Sequence, residues 1–380
     1  MAPGVFPTTS HGAAAKVTAM SDTPNDLPLS GDEIAVLDDW MSARGFGPGP
    51  VTGLEQLTGG TQNLMVRFTR GDRSFVVRRG PRHLRPRTND VLRREMRVLD
   101  ALSGTDVPHP GLIAACPDED VWPGAAFYLV EPVDGFNAFV SLPEPHASDP
   151  GVRHRMGLSM VDALATLASV DHTAIGLGDF GHPDGFVERQ VPRWLRELGS
   201  YSTLDGYPGE PLPGLDAISG WLSRSVPTRW TPGILHGDYH IGNVMFSRSS
   251  PEVAAILDWE MCTIGDPLLD LGWLLATWPE HGNDDSTIGG ALGDAGDLAT
   301  RDELVERYAA QSDRDLSALD WYVVLACFKL GIILEGTFAR ACAGMADPEV
   351  GDRLHATTLS LFRRALDLTS TSGDGNQNSV

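Results

Sequence analysis

Cysteine and basic side chains are both scarce. The 380-residue chain has 4 cysteines: Cys116, Cys262, Cys327 and Cys342, widely separated and with no C-x-x-C pair. That pattern argues against a disulfide framework and a cysteine-based zinc site, and it suits a reducing cytoplasm. Lys and Arg number 29 against 51 Asp and Glu, a formal net charge of −22, which argues against a general nucleic-acid or anionic-membrane surface. One local basic stretch stands out, VVRRGPRHLRPR at 76–87. A signal-peptide pattern is also missing, since MAPGVFPTTSHGAAAKVTAM has no charged segment followed by an apolar one. The longest apolar run, WYVVLACFKLGIILEGTF at 321–338, is broken by Lys329 and Glu335. It is short for a membrane span and reads as a buried core helix. With 42% hydrophobic residues and nine Trp, the chain is globular and long enough for two or three lobes.

Residues 1–28 are rich in Pro, Thr, Ala and Gly, and 369–380 are polar; both read as disordered tails. DEIAVLDDWMSARG carries Ile34, Leu37 and Met41 at helical spacing, after which the period shortens. GLEQLTGGTQNLMVRFTRGDRSFVVRRGP reads as strands separated by Gly59-Gly60 and Gly71-Asp72, a small antiparallel sheet. NDVLRREMRVLDALSG is a helix with Leu92, Met96, Leu99 and Leu102 on one face. AFYLVEPVDG adds a strand. Thereafter helices predominate, at 151–170, 191–204, 213–225, 301–311, 315–341 and 349–368, with short strands in GILHG, NVMF and VAAILDW. The Gly/Asp-rich stretch 279–297 reads as a mobile loop. The expectation is an α+β, bilobed fold: a sheet lobe over 29–133, a mainly helical lobe over 134–368, and a ligand cleft between them.

Two stretches inside the helical part carry chemistry, HGDYHIGNVMF at 236–246 and ILDWEMCTIGDPLLDLG at 256–272. Asp238 and Asn243 have the offset of the Asp and Asn in the kinase catalytic loop H-R-D-x-x-x-x-N, with His236 in its matching place. Asp258 stands where that template has a second metal-binding Asp. One amide oxygen and one carboxylate suffice for Mg²⁺, because water and phosphate complete its shell. The sheet lobe should then supply a phosphate loop, a strand cation and a helix acid. LTGGTQN, with Gly59, Gly60, Thr61 and Asn63, fits the loop. Arg78 or its neighbour Arg79 fits the cation, where the template has Lys, and Glu95 fits the acid.

Rival readings exist for the same residues. His236, Asp238 and His240 alternate and on a strand would share a face, as in a metallohydrolase. A nucleotide-binding pseudokinase is a further alternative; intact Asp238, Asn243 and Asp258 count against it, and Arg in place of Lys counts for it. Asp266, before Pro267, reads as shaping the start of the helix PLLDLGWLL, and Asp270 is likewise given a structural role. Glu260 touches metal or holds a loop, and His240 meets phosphate or backbone. Trp194, Trp221, Trp230, Trp273, Trp278 and Trp321 read as core.

HGDYHIGNVMF and ILDWEMCTIGDPLLDLGWLL resemble the two signature motifs of the aminoglycoside phosphotransferase-like kinases. GLGDFGHPDGFVERQVPRW, FVVRRGP, FYLVEPVDG and LDWYVVLACFKLGIILEG are similar to the branch whose kinase domain heads some acyl-CoA dehydrogenase fusion proteins, so the resemblance covers roughly 30–368. It implies a protein-kinase-like fold, ATP with Mg²⁺, and a small-molecule hydroxyl as acceptor. It also implies Asp238 as catalytic base, Asn243 and Asp258 as metal ligands, and the backbone of Pro132 or Val133, after Glu131, as the adenine contact. Acceptors in the family range from aminoglycosides and macrolides to choline, amino sugars and, for this branch, hydroxylated fatty-acyl compounds. ATP-dependent O-phosphorylation of a small hydroxylated metabolite, with no nucleic-acid or membrane partner, is the expectation.

Overall fold

The computed structural model describes residues 28–57, 63–82, 84, 86–209, 211–279 and 286–374. They form two compact units, 28–135 with 254–260, and 136–253 with 261–374. The first opens with helix α1 (Gly31–Ala43), started by a capping box in which Ser30 and Glu33 satisfy each other's backbone N–H. Strands β1 (Val51–Gln56), β2 (Leu64–Arg70) and β3 (Arg73–Arg79) follow as a meander. Helix α2 (Thr88–Leu102) intervenes before β4 (Leu112–Cys116) and β5 (Phe127–Val130). The sheet order is β1-β2-β3-β5-β4, antiparallel throughout. Phe68 pairs with Phe75 and Val66 with Val77, and these join Leu37, Trp40 and Met41 of α1 with Phe127 and Leu129 in one core.

β3 departs from simple in-out alternation, for Phe75 to Arg79 are all buried. Consecutive side chains on a strand point to opposite faces, and each face here has its own acid. Arg79 takes Glu33 of α1 at 2.8 Å and lies over the Trp122 ring; Arg78 takes Glu95 of α2. Residues 254–260, expected within the helical part, group with the sheet. The amide of Ile256 donates to the Pro108 carbonyl at 2.9 Å.

The second unit holds most of the remaining elements: β6 (Gly135–Phe136), α3 (Pro150–Ser169), α4 (Gln190–Ser200), α5 (Leu215–Arg224), β7 (Gly233–Leu235), β8 (Val244–Ser247), β9 (Val253–Ile256), β10 (Thr263–Gly265), α6 (Leu268–Thr277), α7 (Ser286–Ala295), α8 (Arg301–Ala309), α9 (Leu319–Cys342) and α10 (Pro348–Asp374). β6 and β9 straddle the boundary between the units. Strands β7 and β10 pair antiparallel, Leu235 with Thr263 and Gly233 with Gly265. Leu316–Cys342 is long and apolar enough to cross a membrane by length and composition, yet α9 packs against α6 and α10 inside this unit, as expected of a core helix. Two expectations are corrected. Of the stretch read as a loop at 279–297, residues 280–285 lie outside the described residues, and α7 occupies 286–295 with a kink at Gly290; Leu292 is buried and the amides of Ala291 and Leu292 bond to the carbonyls of Phe139 and Ala138. Helix α10 runs to Asp374, beyond the expected end at 368.

Helices α6 and α9 approach closely because Gly272 has no side chain. A Cβ there would sit 2.7 Å from the Tyr322 carbonyl carbon and oxygen. Gly272→Ala is therefore expected to lower unfolding free energy by about 1–3 kcal/mol through overpacking, read from denaturant midpoints. An unchanged midpoint would contradict this packing.

Candidate active site

In the first unit, Arg78 is surrounded by acids. Its Nε donates to Glu95 Oε2 at 3.0 Å and its Nη2 to Glu95 Oε1 at 2.5 Å and Asp258 Oδ1 at 2.8 Å. Tyr128, paired with Arg78 across β3 and β5, donates its hydroxyl to Glu95 Oε2 at 3.0 Å. Burial opposes the Arg78 charge, but Glu95, Tyr128 and Asp258 hold its basicity well above the ordinary value. Burial likewise pushes Glu95 up, to about 7, against the pull of Arg78. The bidentate guanidinium, positively charged at every accessible pH, favours the carboxylate form of Glu95 against that burial. Of the two neighbouring arginines, Arg78 is the one paired with Glu95, and Arg79 pairs with Glu33 on the opposite face.

Asp258 follows β9 in the left-handed region, φ 63°, which Asp tolerates better than most side chains. That bend turns its carboxylate to Arg78. Oδ1 is taken, and Oδ2 has no hydrogen-bond partner among the described residues. Carboxylate oxygens of Glu95, Asp258 and Glu260 lie within 4.8 Å of one another. Asp258 therefore offers a hard oxygen suited to Mg²⁺. Of the expected phosphate loop, Gly59, Gly60 and Thr61 lie outside the described residues. Its root is closed by Leu57 N–H on the Met65 carbonyl at 2.9 Å, with Asn63 just before β2. Past β5, the Glu131 amide donates to the Gly111 carbonyl at 2.8 Å. Pro132 and Val133 follow with no backbone hydrogen bond among the described residues.

In the second unit the chain leaves β7 through a turn that the sequence dictates. Gly237 sits at φ 88°, and a Cβ there would stand 2.7 Å from the Met261 carbonyl oxygen, so only glycine fits. The turn leaves the amides of His236 and Gly237 without strand partners. Asp270, buried in the first turn of α6, accepts both, at 2.5 and 2.8 Å. Asp238 N–H donates to His236 Nδ1 at 3.3 Å. Tyr239 anchors the far side through its hydroxyl, 2.7 Å from the Met160 carbonyl.

Asn243 donates its amide nitrogen to the Asp238 carbonyl at 2.9 Å and to Asp238 Oδ2 at 3.0 Å. Its Oδ1 has no hydrogen-bond partner among the described residues, which again fits a magnesium ligand. His240 turns Nε2 to within 3.5 Å of Asp238 Oδ2, while its Nδ1 accepts the Gly242 amide at 3.0 Å. His236, Asp238 and His240 are not a metal-ligating set. His236 is fully buried with its Nδ1 engaged, and among the described residues the cluster of metal-binding types is Glu95, Asp258 and Glu260. Asp266 caps α6 through the Leu268 amide at 3.1 Å and also accepts the Tyr322 hydroxyl.

Two groups act through partners that the local sequence does not name. Asp270 has the expected structural role, and its partners are the His236 and Gly237 amides; a carboxylate in an otherwise apolar helix turn is the available signal. Lys329, read as an interruption of an apolar run, donates to the Gly237 carbonyl at 2.8 Å and lies 4.1 Å from the Trp273 ring centre.

Residues 53–322 match the phosphotransferase enzyme family (APH), and the chain belongs to it. The fold is that of the protein kinases, in the form taken by aminoglycoside phosphotransferases. Acyl-CoA dehydrogenase family member 11 of Rattus norvegicus is 28% identical over 375 residues, covering 93% of this chain and 46% of that protein. The chain spans less than half the length of such curated relatives. Among solved structures, a protein of Ralstonia eutropha JMP134 provisionally assigned as an aminoglycoside phosphotransferase is 29% identical, with a TM-score of 0.71 over 88% of this chain and 98% of that one. A thermostable variant of an aminoglycoside phosphotransferase, crystallised with AMP-PNP and hygromycin B, shares the fold at 14% identity and a TM-score of 0.54, over 85% and 98% of the two chains.

Burial lowers the Lys329 ammonium to about 8; Asp238 and Asp270 pull it back up, and Arg193 pushes it down. Between the folded value near 8 and the unfolded value near 10.5 the unfolded chain binds the extra proton, so stability from this group rises with pH across that window. Lys329→Met is therefore expected to melt above wild type at pH 7, with the gap closing as pH climbs from 8 toward 10. A gap independent of pH would contradict the burial of a charge at this position.

Proposed function

We propose that the protein is an ATP- and magnesium-dependent O-phosphotransferase acting on a small hydroxylated metabolite. The observation that carries this reading is the Asp238–Asn243 pair, hydrogen bonded to each other on a turn that a buried carboxylate holds. Phosphoryl transfer asks for positioning and charge stabilisation more than covalent chemistry. In the proposed step the acceptor oxygen bonds to the terminal phosphorus as the bond to the ADP bridging oxygen breaks, and the hydroxyl proton passes to Asp238. Asn243 and Asp258 would hold Mg²⁺, which when bound neutralises charge on the phosphates. Arg78, fixed by Glu95, brings a cation to the phosphates. Gly59, Gly60, Thr61 and Asn63 are assigned to the phosphate loop, and Glu131 to Val133 to the adenine edge.

Two of the comparisons bear on the substrates. A structural relative was crystallised with AMP-PNP and hygromycin B, which supports nucleotide use. Similarity to acyl-CoA dehydrogenase family members at 28% identity supports a hydroxyacyl acceptor, and similarity at 29% to the Ralstonia eutropha protein supports an antibiotic as the alternative. Cys116, Cys262, Cys327 and Cys342 are free thiols, in keeping with action in a reducing cytoplasm. One observation favours a second reading, a nucleotide-binding pseudokinase: Arg78 already occupies an oxygen of Asp258. Wild-type protein that binds MgATP but releases no ADP with any acceptor would select it.

Asp238→Asn separates binding from chemistry. Loss of the base is expected to lower acceptor-stimulated ADP release by about 10²-fold or more, with nucleotide affinity unchanged. ADP release at the wild-type rate would remove Asp238 from the step.

A further inference from the structure

Lys329 is a charge that the scheme above does not use. It lies mid-way along α9 among apolar neighbours and is 9% exposed. Nζ donates to the Gly237 carbonyl, its hydrogen-bond acceptor among the described residues, and stands 4.1 and 5.7 Å from the ring centres of Trp273 and Trp194. Those rings receive the ammonium on their π faces. Their own Nε1–H groups are buried without hydrogen-bond partners among the described residues. A buried ammonium costs stability unless something is gained from it.

What it touches indicates the gain. The Gly237 carbonyl belongs to the peptide that ends at the Asp238 Cα. The preceding peptide ends in the Gly237 N–H, which Asp270 accepts. Two consecutive peptide planes are therefore held by full charges of opposite sign, one on α6 and one on α9, and charge-assisted hydrogen bonds are the stronger kind. The Met261 carbonyl crowds Gly237 from another side. Asp238 itself is tied through its carboxylate to Asn243, so freedom left in the backbone would become freedom in the direction of that carboxylate.

We propose that Lys329 is a positioning residue for phosphoryl transfer: its ammonium fixes the Gly237–Asp238 peptide and so sets the direction from which the Asp238 carboxylate meets the acceptor hydroxyl. This rests on the reading of Asp238 as the base. Asp238 and Asp270 favour the charge electrostatically, and Arg193 of α4 opposes it.

The test compares full-length wild type, Lys329→Met, which cannot donate, and Lys329→Gln, which keeps one donor. Two quantities are read: amide hydrogen exchange over residues 236–246, and turnover of MgATP with water as acceptor. Lys329→Met should raise exchange in that segment and lower kcat, each by about tenfold or more, at unchanged KM for MgATP, with Lys329→Gln between it and wild type. A folded Lys329→Met within about twofold of wild type in exchange and kcat overturns the proposal, as does loss of fold in both variants, which would make Lys329 a stability residue. Absence of turnover in wild type with water and with every hydroxylated compound tried instead removes the reading of Asp238; the exchange data, which need no turnover, tell the two failures apart.

Discussion

The carboxylate of Asp270 receives two amide protons that no strand can take. β7 ends at Leu235, the chain bends through Gly237, and the His236 and Gly237 amides point into the interior. Left unpaired, each would cost about 1–3 kcal/mol. With the acid in place the bend is fixed, Asp238 follows it immediately, and Asn243 closes back onto Asp238 through a short 3₁₀ turn. A flexible loop would present the same residue types without the geometry. The chemistry attributed to this unit needs a carboxylate held in one direction, and backbone hydrogen bonds to buried charge supply that.

The sheet unit applies the same principle to a cation. Arg78 is buried, and a buried ion pair is weak ground for stability, since desolvation offsets most of the attraction. What the pair with Glu95 provides is direction: a planar guanidinium gripped at two nitrogens, with Asp258 on the same Nη2. Arg79, one residue on, does structural service with Glu33 and Trp122.

How much of this the sequence disclosed depended on distance along the chain. Asp238 and Asn243 are five residues apart, so their relation is a matter of spacing, and Asp258 was legible as the end of an apolar strand. The strand-helix pair Arg78 and Glu95 was legible as a pattern, but the choice between neighbouring arginines was not. Alternation sends them to opposite faces, yet which face carries α2 is set by tertiary packing. Asp270 and Lys329 act on residues 34 and 92 positions away, and no local period encodes such contacts. The stretch holding α7 was misread because its glycines signal a loop, while its helix is fastened from outside by the carbonyls of Ala138 and Phe139.

Phosphorus-31 NMR of wild-type protein with MgATP and a panel of hydroxylated compounds, hydroxyacyl thioesters and aminoglycosides among them, addresses the central claim most directly. Transfer to a hydroxyl predicts a new phosphomonoester resonance growing in step with ADP for at least one compound. ADP appearing with inorganic phosphate alone, at a rate no compound changes, would contradict it.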